Sequence, residues 1–167
     1  MNIYLSAVNQ KLYYSKLLLK QSRPDVGNMP LLQEALYQSA LYQLECGYRH
    51  YLREVATTYQ FKSPESIAVI EDLVAALSSI NKHPAEAQEM ASLEANPESW
   101  LNQMLAAHQQ LSTLPQNDSK TTQSSPIAVV QLNQQDERVV FGEQELSEWQ
   151  RAFEEMVDRH RELMIEC

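Results

Sequence analysis

Glycine is scarce in this chain of 167 residues: Gly27, Gly47 and Gly142 are the only three, and none is spaced as in the loops that cradle phosphates. That excludes the common phosphate-binding fingerprints. Cysteine is rarer still, with Cys46 inside a helical stretch and Cys167 at the end, so no disulfide framework is expected and a reducing compartment fits. No stretch approaches the ~20 apolar residues of a membrane span, and no basic leader followed by an apolar run opens the chain. The expectation is a soluble, cytoplasmic protein with no membrane association. Basic residues are also short: 13 Lys and Arg stand against 22 Asp and Glu, a net charge of -9. Such a balance argues against a whole-domain electrostatic grip on nucleic acid, which needs clustered cations. Glu-x-x-His, the ligand pattern of di-metal bundles, does not occur. Nor does any Ser or Cys sit in a recognisable nucleophile context. No cofactor, metal site or catalytic residue is therefore expected.

What the chain has in plenty is helical periodicity. From Leu31 to Phe61, Tyr37, Leu41, Leu44, Tyr48, Tyr51, Leu52, Val55 and Tyr59 recur at steps of three and four, one face of a 3.6-residue helix. Such a helix would run about 45 Å, the height of a small domain. Its apolar stripe needs a partner, because helices in proteins are stabilised mainly by packing. Residues 2–22 supply one, with Leu5, Val8, Leu12, Ser15 and Leu19 as the apolar face. Pro24, Gly27 and Pro30 make the connection, so the two helices form an antiparallel hairpin. Gly47 inside the long helix costs about 1 kcal/mol in propensity and is expected where a neighbouring backbone approaches closely.

Ser63-Pro64-Glu65 reads as the start of a third helix with Ile67, Ile70, Val74, Leu77 and Ile80 on its face. Asn81 to Pro84 breaks it, and a weaker helix follows at 85–94. Asn96-Pro97-Glu98 repeats the start signal ahead of Trp100, Leu101, Met104, Leu105, His108 and Leu111. Residues 115–125 hold no large apolar side chain beyond their flanks and read as a flexible loop. Ile127–Val130 and Val139–Phe141 are β-branched and turn-bounded, which predicts a small β-hairpin. The last helix, from about Glu143, places Leu146, Trp149, Phe153, Met156, His160 and Leu163 in a heptad seam. The expected fold is a single all-α domain over 1–167, an antiparallel bundle of about five helices. Residues 1–24 carry four cations and no acid, while 143–167 carry eight acids against Arg151, Arg159 and Arg161. These opposite excesses predict that the first and last helices lie side by side, with about 0–1 kcal/mol from each exposed pair.

The order of these elements, with Leu12–Leu19, Ala35 through Leu52 ending in Tyr48-Arg49-His50-Tyr51-Leu52-Arg53-Glu54, and Leu93–Leu101, resembles a bacterial family described only as a domain of unknown function. The resemblance spans most of the chain and implies no activity. The first hairpin is also similar in pattern to HEPN domains, helical bundles of toxin ribonucleases and of accessory proteins to nucleotidyltransferases. That second likeness would imply action near RNA or nucleotides. HEPN ribonucleases carry Arg four to six residues before His. Here Arg151 precedes His160 by nine positions and Arg159 adjoins it, so ribonuclease activity is not implied.

Several residues merit attention as ligand-binding candidates. His108 and His160 each interrupt an apolar stripe. Each is either an imidazole hydrogen-bonded at the core boundary or a proton-transfer or ligand group. His50 and Glu54, at i and i+4, either share a metal or form an ordinary solvent-facing helix contact, which is the commoner case. Arg49 and Arg53, one turn apart beside Tyr42 and Lys16, could make a small anion site partly neutralised by Glu45 and Glu54. All eight tyrosines lie between Tyr4 and Tyr59, and Tyr13, Tyr14 and Tyr42 fall off the main stripes, where exposed rings would mark a partner surface. Every strong signal is one of packing. The expected function is therefore a non-enzymatic interaction protein, self-associating as a homodimer through the tyrosine-rich hairpin. A HEPN-like accessory protein is the alternative.

Overall fold

The computed structural model describes residues 2–22, 29–113 and 139–165, and among them it is all-helical. Six α-helices are present: α1 (Ile3–Gln21), α2 (Pro30–Thr58), α3 (Ile70–Ser79), α4 (Ala85–Ala95), α5 (Trp100–Leu111) and α6 (Glu143–Ile165). The expected count of about five is thus corrected to six. The loop at 115–125 and the first predicted strand, Ile127–Val130, lie outside the described residues. The second, Val139–Phe141, is described and takes no strand conformation.

Local chemistry sets the helix ends. The Asn2 side chain caps α1 by accepting the Tyr4 N–H at 3.1 Å, and its amide donates to the Glu54 carbonyl at 3.1 Å. Pro30 opens α2, where its missing N–H costs nothing. α2 stops at Thr58, short of Phe61, because Gln60 turns left-handed at φ 63°. The Phe61 N–H then returns to the Ala56 carbonyl and the Gln60 N–H to Thr57, which satisfies the last carbonyls. Asn81, at φ 55°, closes α3 in the same way through Lys82 to Leu77.

Two expected helix starts move. Ser63-Pro64-Glu65 leads into a single 3-10 turn, Pro64–Ser66, and the chain then runs extended to Val69. α3 begins only where the Asp72 carboxylate accepts the Ala68 and Val69 N–H groups at 2.9 and 3.2 Å. Ile67 consequently enters the core from an extended segment. The helix face is set by Ile70, Leu73 and Leu77, which turns Val74 and Ile80 outward. Likewise Ser99, not Asn96, caps α5, by accepting the Asn102 N–H at 3.1 Å. Leu5 and Leu163, expected inside, are exposed. For Leu163 the reason is helical drift: a straight helix falls behind a strict heptad by about 20° per repeat. After five turns from Leu146 the core position has slipped to Met164, which is buried.

α2 is the central element, packed against α1, α3, α5 and α6. α1 returns antiparallel along it, with Lys11 Nζ donating to Gln43 Oε1 at 3.1 Å midway. α6 lies beside α1, as the charge asymmetry predicts. Lys16 meets Glu154 at 2.9 Å, Gln150 donates to the Leu12 carbonyl at 3.3 Å, and Arg161 donates to Asn9 at 2.8 Å. The core centres on Phe153, whose ring lies 6.1–6.2 Å from those of Tyr48, Tyr51 and Trp100. Gly47 sits under this cluster, where a Cβ would come within 3.2 Å of Phe153 Cε1 and 3.3 Å of Lys11 Cβ. The neighbouring backbone expected there is not what comes close: the nearest atoms belong to the side chains of Phe153 and Lys11. No helix among the described residues is long and apolar enough to cross a membrane.

Candidate functional site

The ligand-binding candidates do not converge on one site. His160 is wholly buried and occupied at both ring nitrogens: Nδ1 lies 2.8 Å from Tyr51 Oη and Nε2 3.0 Å from Glu89 Oε2. Its ring stacks on Tyr51 with centroids 6.0 Å apart. Glu89 in turn receives Arg159 at 2.6 and 3.2 Å. Burial alone would raise the Glu89 carboxyl, but the Arg159 and His160 hydrogen bonds outweigh it and hold it below the usual range. Tyr51 is buried against Phe153 and its phenol is pushed far up, first by burial and then by the Glu54 charge. A phenol–imidazole–carboxylate chain would orient a catalytic proton. Here the phenol end opens into packed aromatic core, so the chain ties α2, α4 and α6 together.

His108 and Arg49 meet around Glu45, a buried carboxylate of α2. Arg49 Nε donates to Glu45 Oε1, and His108 Nε2 stands 4.0 Å from Glu45 Oε2. Tyr42 joins them, its ring 6.1 Å from that of His108. Arg53 is drawn away from this cluster because its Nε donates to the Ile67 carbonyl at 2.9 Å, holding the extended entry to α3. His50 turns toward α1 and lies 6.3 Å from the Tyr4 ring, with its Nδ1 buried and unpartnered. Burial first, then the charges of Arg53 and Lys11, lower its pKa from 6.5. His50 and Glu54 share nothing, since Glu54 is fully buried in a two-pronged pair with Arg161 at 2.8 and 2.9 Å. Among the described residues no group of three His, Cys, Asp or Glu is placed to hold a metal ion.

Of the carboxylates at the centres of these clusters, sequence reasoning named Glu45 and Glu54 only as neighbours of Arg49, Arg53 and His50, and passed over Glu89. For the first two a signal exists: Glu45 has Leu41 four residues before it and Glu54 has Tyr51 three before, so each sits at the edge of the apolar stripe of α2. Glu89 carries no such signal, because its partners come from α6.

A different organisation appears on the outer side of the α1–α2 hairpin. Ile3, Ala7, Gln10, Tyr14, Leu17 and Gln21 alternate at steps of four and three along α1. Leu32, Ala35, Ser39, Tyr42 and Cys46 do the same along α2. Neither stripe carries a charge. The core residues Val8, Leu12, Leu19 and Leu41, Leu44, Tyr51 occupy the opposite faces of these helices, so in an antiparallel hairpin the two stripes adjoin. Ile3 is 69% exposed, Tyr14 41%, Leu17 45%, Leu32 45% and Tyr42 53%. Arg49 and Arg53 continue the α2 stripe at one end. Tyr13, one residue from Tyr14, is turned toward α6 and lines a cleft of about 220 Å³ with Glu154 and Arg161.

The chain belongs to a family of unknown function, DUF6586, whose model matches residues 1–167. No curated protein and no solved structure matches it. The likeness to HEPN domains gains no support from these comparisons.

Proposed function

We propose that this member of DUF6586 is a non-enzymatic interaction protein that self-associates through the outer face of its α1–α2 hairpin. The observation that carries the reading is the uncharged double stripe, which leaves Ile3, Tyr14, Leu17, Leu32 and Tyr42 exposed along the length of the hairpin. Interface cores are depleted in charge and enriched in aromatic residues and Arg, and here Arg49 flanks the stripe. Two seams at heptad spacing are also the surface that pairs with helices in bundles. A second copy of the same hairpin offers a matching seam, and a two-fold axis beside Tyr14 and Tyr42 would set each ring against its own equivalent or its neighbour. The histidines support this reading by what they do instead of chemistry: His160 is spent on packing, and His108 on Glu45.

The alternative, an accessory protein acting near RNA or nucleotides through α1, Arg49 and Arg53, has less to rest on, since both arginines are engaged by groups of the chain itself. One experiment separates the two. Sedimentation velocity at micromolar concentration should give about twice the 19.2 kDa chain mass. Tyr14→Ala with Tyr42→Ala should shift the protein to monomer, because aromatic anchors commonly contribute about 2 kcal/mol or more each, roughly thirtyfold in Kd. Tyr13→Ala should leave the dimer intact. A monomer for the unaltered chain, or a dimer indifferent to the double substitution, refutes the reading. Salt-sensitive binding of single-stranded RNA lost on Arg49→Ala and Arg53→Ala would favour the alternative.

A further inference from the structure

On the far side of the bundle, α3 and α4 enclose a cleft of about 460 Å³ that none of the clusters above uses. Its floor is built from Val74 and Ala75 of α3 and Ala91 and Ala95 of α4. Alanine on both walls leaves room for a third backbone to come close, and Val74 is turned out of the core into this space. Two carboxylates also line it, the exposed Glu71 from α3 and the half-buried Glu94 from α4. Tyr48 donates to Glu94 Oε1 at 2.6 Å from below, and no cation faces either carboxylate among the described residues. Burial raises the Glu94 pKa, Tyr48 opposes this, and the charge of Glu71 adds to it. The surroundings share the same sign. Between Ser63 and Ser99 the chain has Glu65, Glu71, Asp72, Glu86, Glu89, Glu94 and Glu98 against Lys82 alone. Of these, Glu89, Asp72 and Glu86 are already engaged, by Arg159, by backbone N–H groups and by the Tyr59 hydroxyl.

We infer that the α3–α4 cleft docks a basic amphipathic helix of a partner protein, whose aliphatic side chains fill the alanine-lined floor while its Lys or Arg side chains neutralise Glu71 and Glu94. The chemistry selects this occupant. An apolar floor alone would take any hydrophobe, but two like carboxylates in its lining disfavour anionic ligands and reward cations beside an apolar ridge. A helix supplies that arrangement, since side chains three and four residues apart share one face. The cleft is separate from the outer face of α1 and α2, so this interaction stands independently of self-association.

The test uses a fluorescein-labelled leucine–lysine amphipathic peptide, its glutamate-for-lysine counterpart, and fluorescence anisotropy with the full chain. The lysine peptide should bind and the glutamate peptide should not. Glu71→Gln with Glu94→Gln, which keeps an acceptor for Tyr48, should weaken binding about tenfold. Ala75→Trp, which fills the cleft from an exposed position, should abolish it. Glu148→Gln with Glu155→Gln on α6 removes equal charge elsewhere and should change little. The inference is overturned if the α6 pair weakens binding as much as the cleft pair, which would mean net charge alone attracts the peptide. It is equally overturned if Ala75→Trp binds normally while retaining its circular dichroism, or if the cleft variants alter sedimentation of the chain alone, since a second copy would then be the occupant.

Discussion

Replacing Arg161 should damage this fold more than any exposed ion pair could, and the size of the loss follows from what it would leave behind. Glu54 is 2% exposed and sits inside α2 with both carboxylate oxygens held by Arg161 at 2.8 and 2.9 Å. The same guanidinium reaches Asn9 of α1, so one side chain of α6 joins both helices of the hairpin. Arg161→Met would keep most of the aliphatic bulk and strand a desolvated carboxylate, which costs about 3–5 kcal/mol when the partner of a buried pair is removed. For a chain of this size each kcal/mol lowers Tm by about 2–4 °C, so the fall should be about 6–20 °C. Glu54→Leu combined with Arg161→Met should recover most of that loss, because a packed apolar pair can match a buried ionic one. Thermal and urea denaturation of the two single variants and the double variant measure the coupling. A loss below about 1 kcal/mol for Arg161→Met, the scale of a surface pair, or strict additivity of the two changes, would refute the reasoning.

Gly47→Ala gains about 1 kcal/mol in helix propensity, yet it should destabilise, because Phe153 is pinned by three rings and cannot yield to a Cβ at 3.2 Å. A raised urea midpoint would contradict this. Glu89 has its pKa depressed, so the stability it contributes is complete above the ordinary carboxylate value of 4.5 and is lost as pH falls through the lower folded value. Glu89→Gln should therefore flatten the acid limb of Tm against pH, and an unchanged limb would show that the Arg159 and His160 contacts do not form. His50 should titrate below 6.5 in a proton NMR series, since burial, Arg53 and Lys11 all disfavour its charged form. A midpoint at or above 6.5 would mean that its ring lies free of all three.

Long amphipathic helices were legible from the chain, because the three-and-four spacing of residues such as Leu41, Leu44, Tyr48, Tyr51 and Val55 records directly which face is buried. The pairing of α1 with α6 was legible too, since charge of one sign had accumulated on each. Helix ends read less well. Ser63-Pro64 carries a sound start signal, but the Asp72 carboxylate captured the Ala68 and Val69 N–H groups and began the helix later, a competition between two caps that spacing does not rank. The polar clusters read worst. His160 stood out as a break in an apolar stripe, but its partners Tyr51 and Glu89 lie 109 and 71 residues away. Which polar groups meet across a bundle depends on helix rotation, and one step of 100° is enough to separate Tyr13 from Tyr14 or Leu163 from Met164.

The claim that the hairpin's outer face pairs with a second copy is tested most directly at Cys46, which lies half-buried in the α2 stripe, one turn beyond Tyr42. In a Cys167→Ser background, its alkylation by a bulky maleimide should slow as the protein is concentrated through the dimer's dissociation range, and should become fast at every concentration once Tyr14→Ala and Tyr42→Ala are introduced. An alkylation rate that is the same at all concentrations, in a chain that nonetheless sediments as a dimer, would place the interface elsewhere and contradict the account.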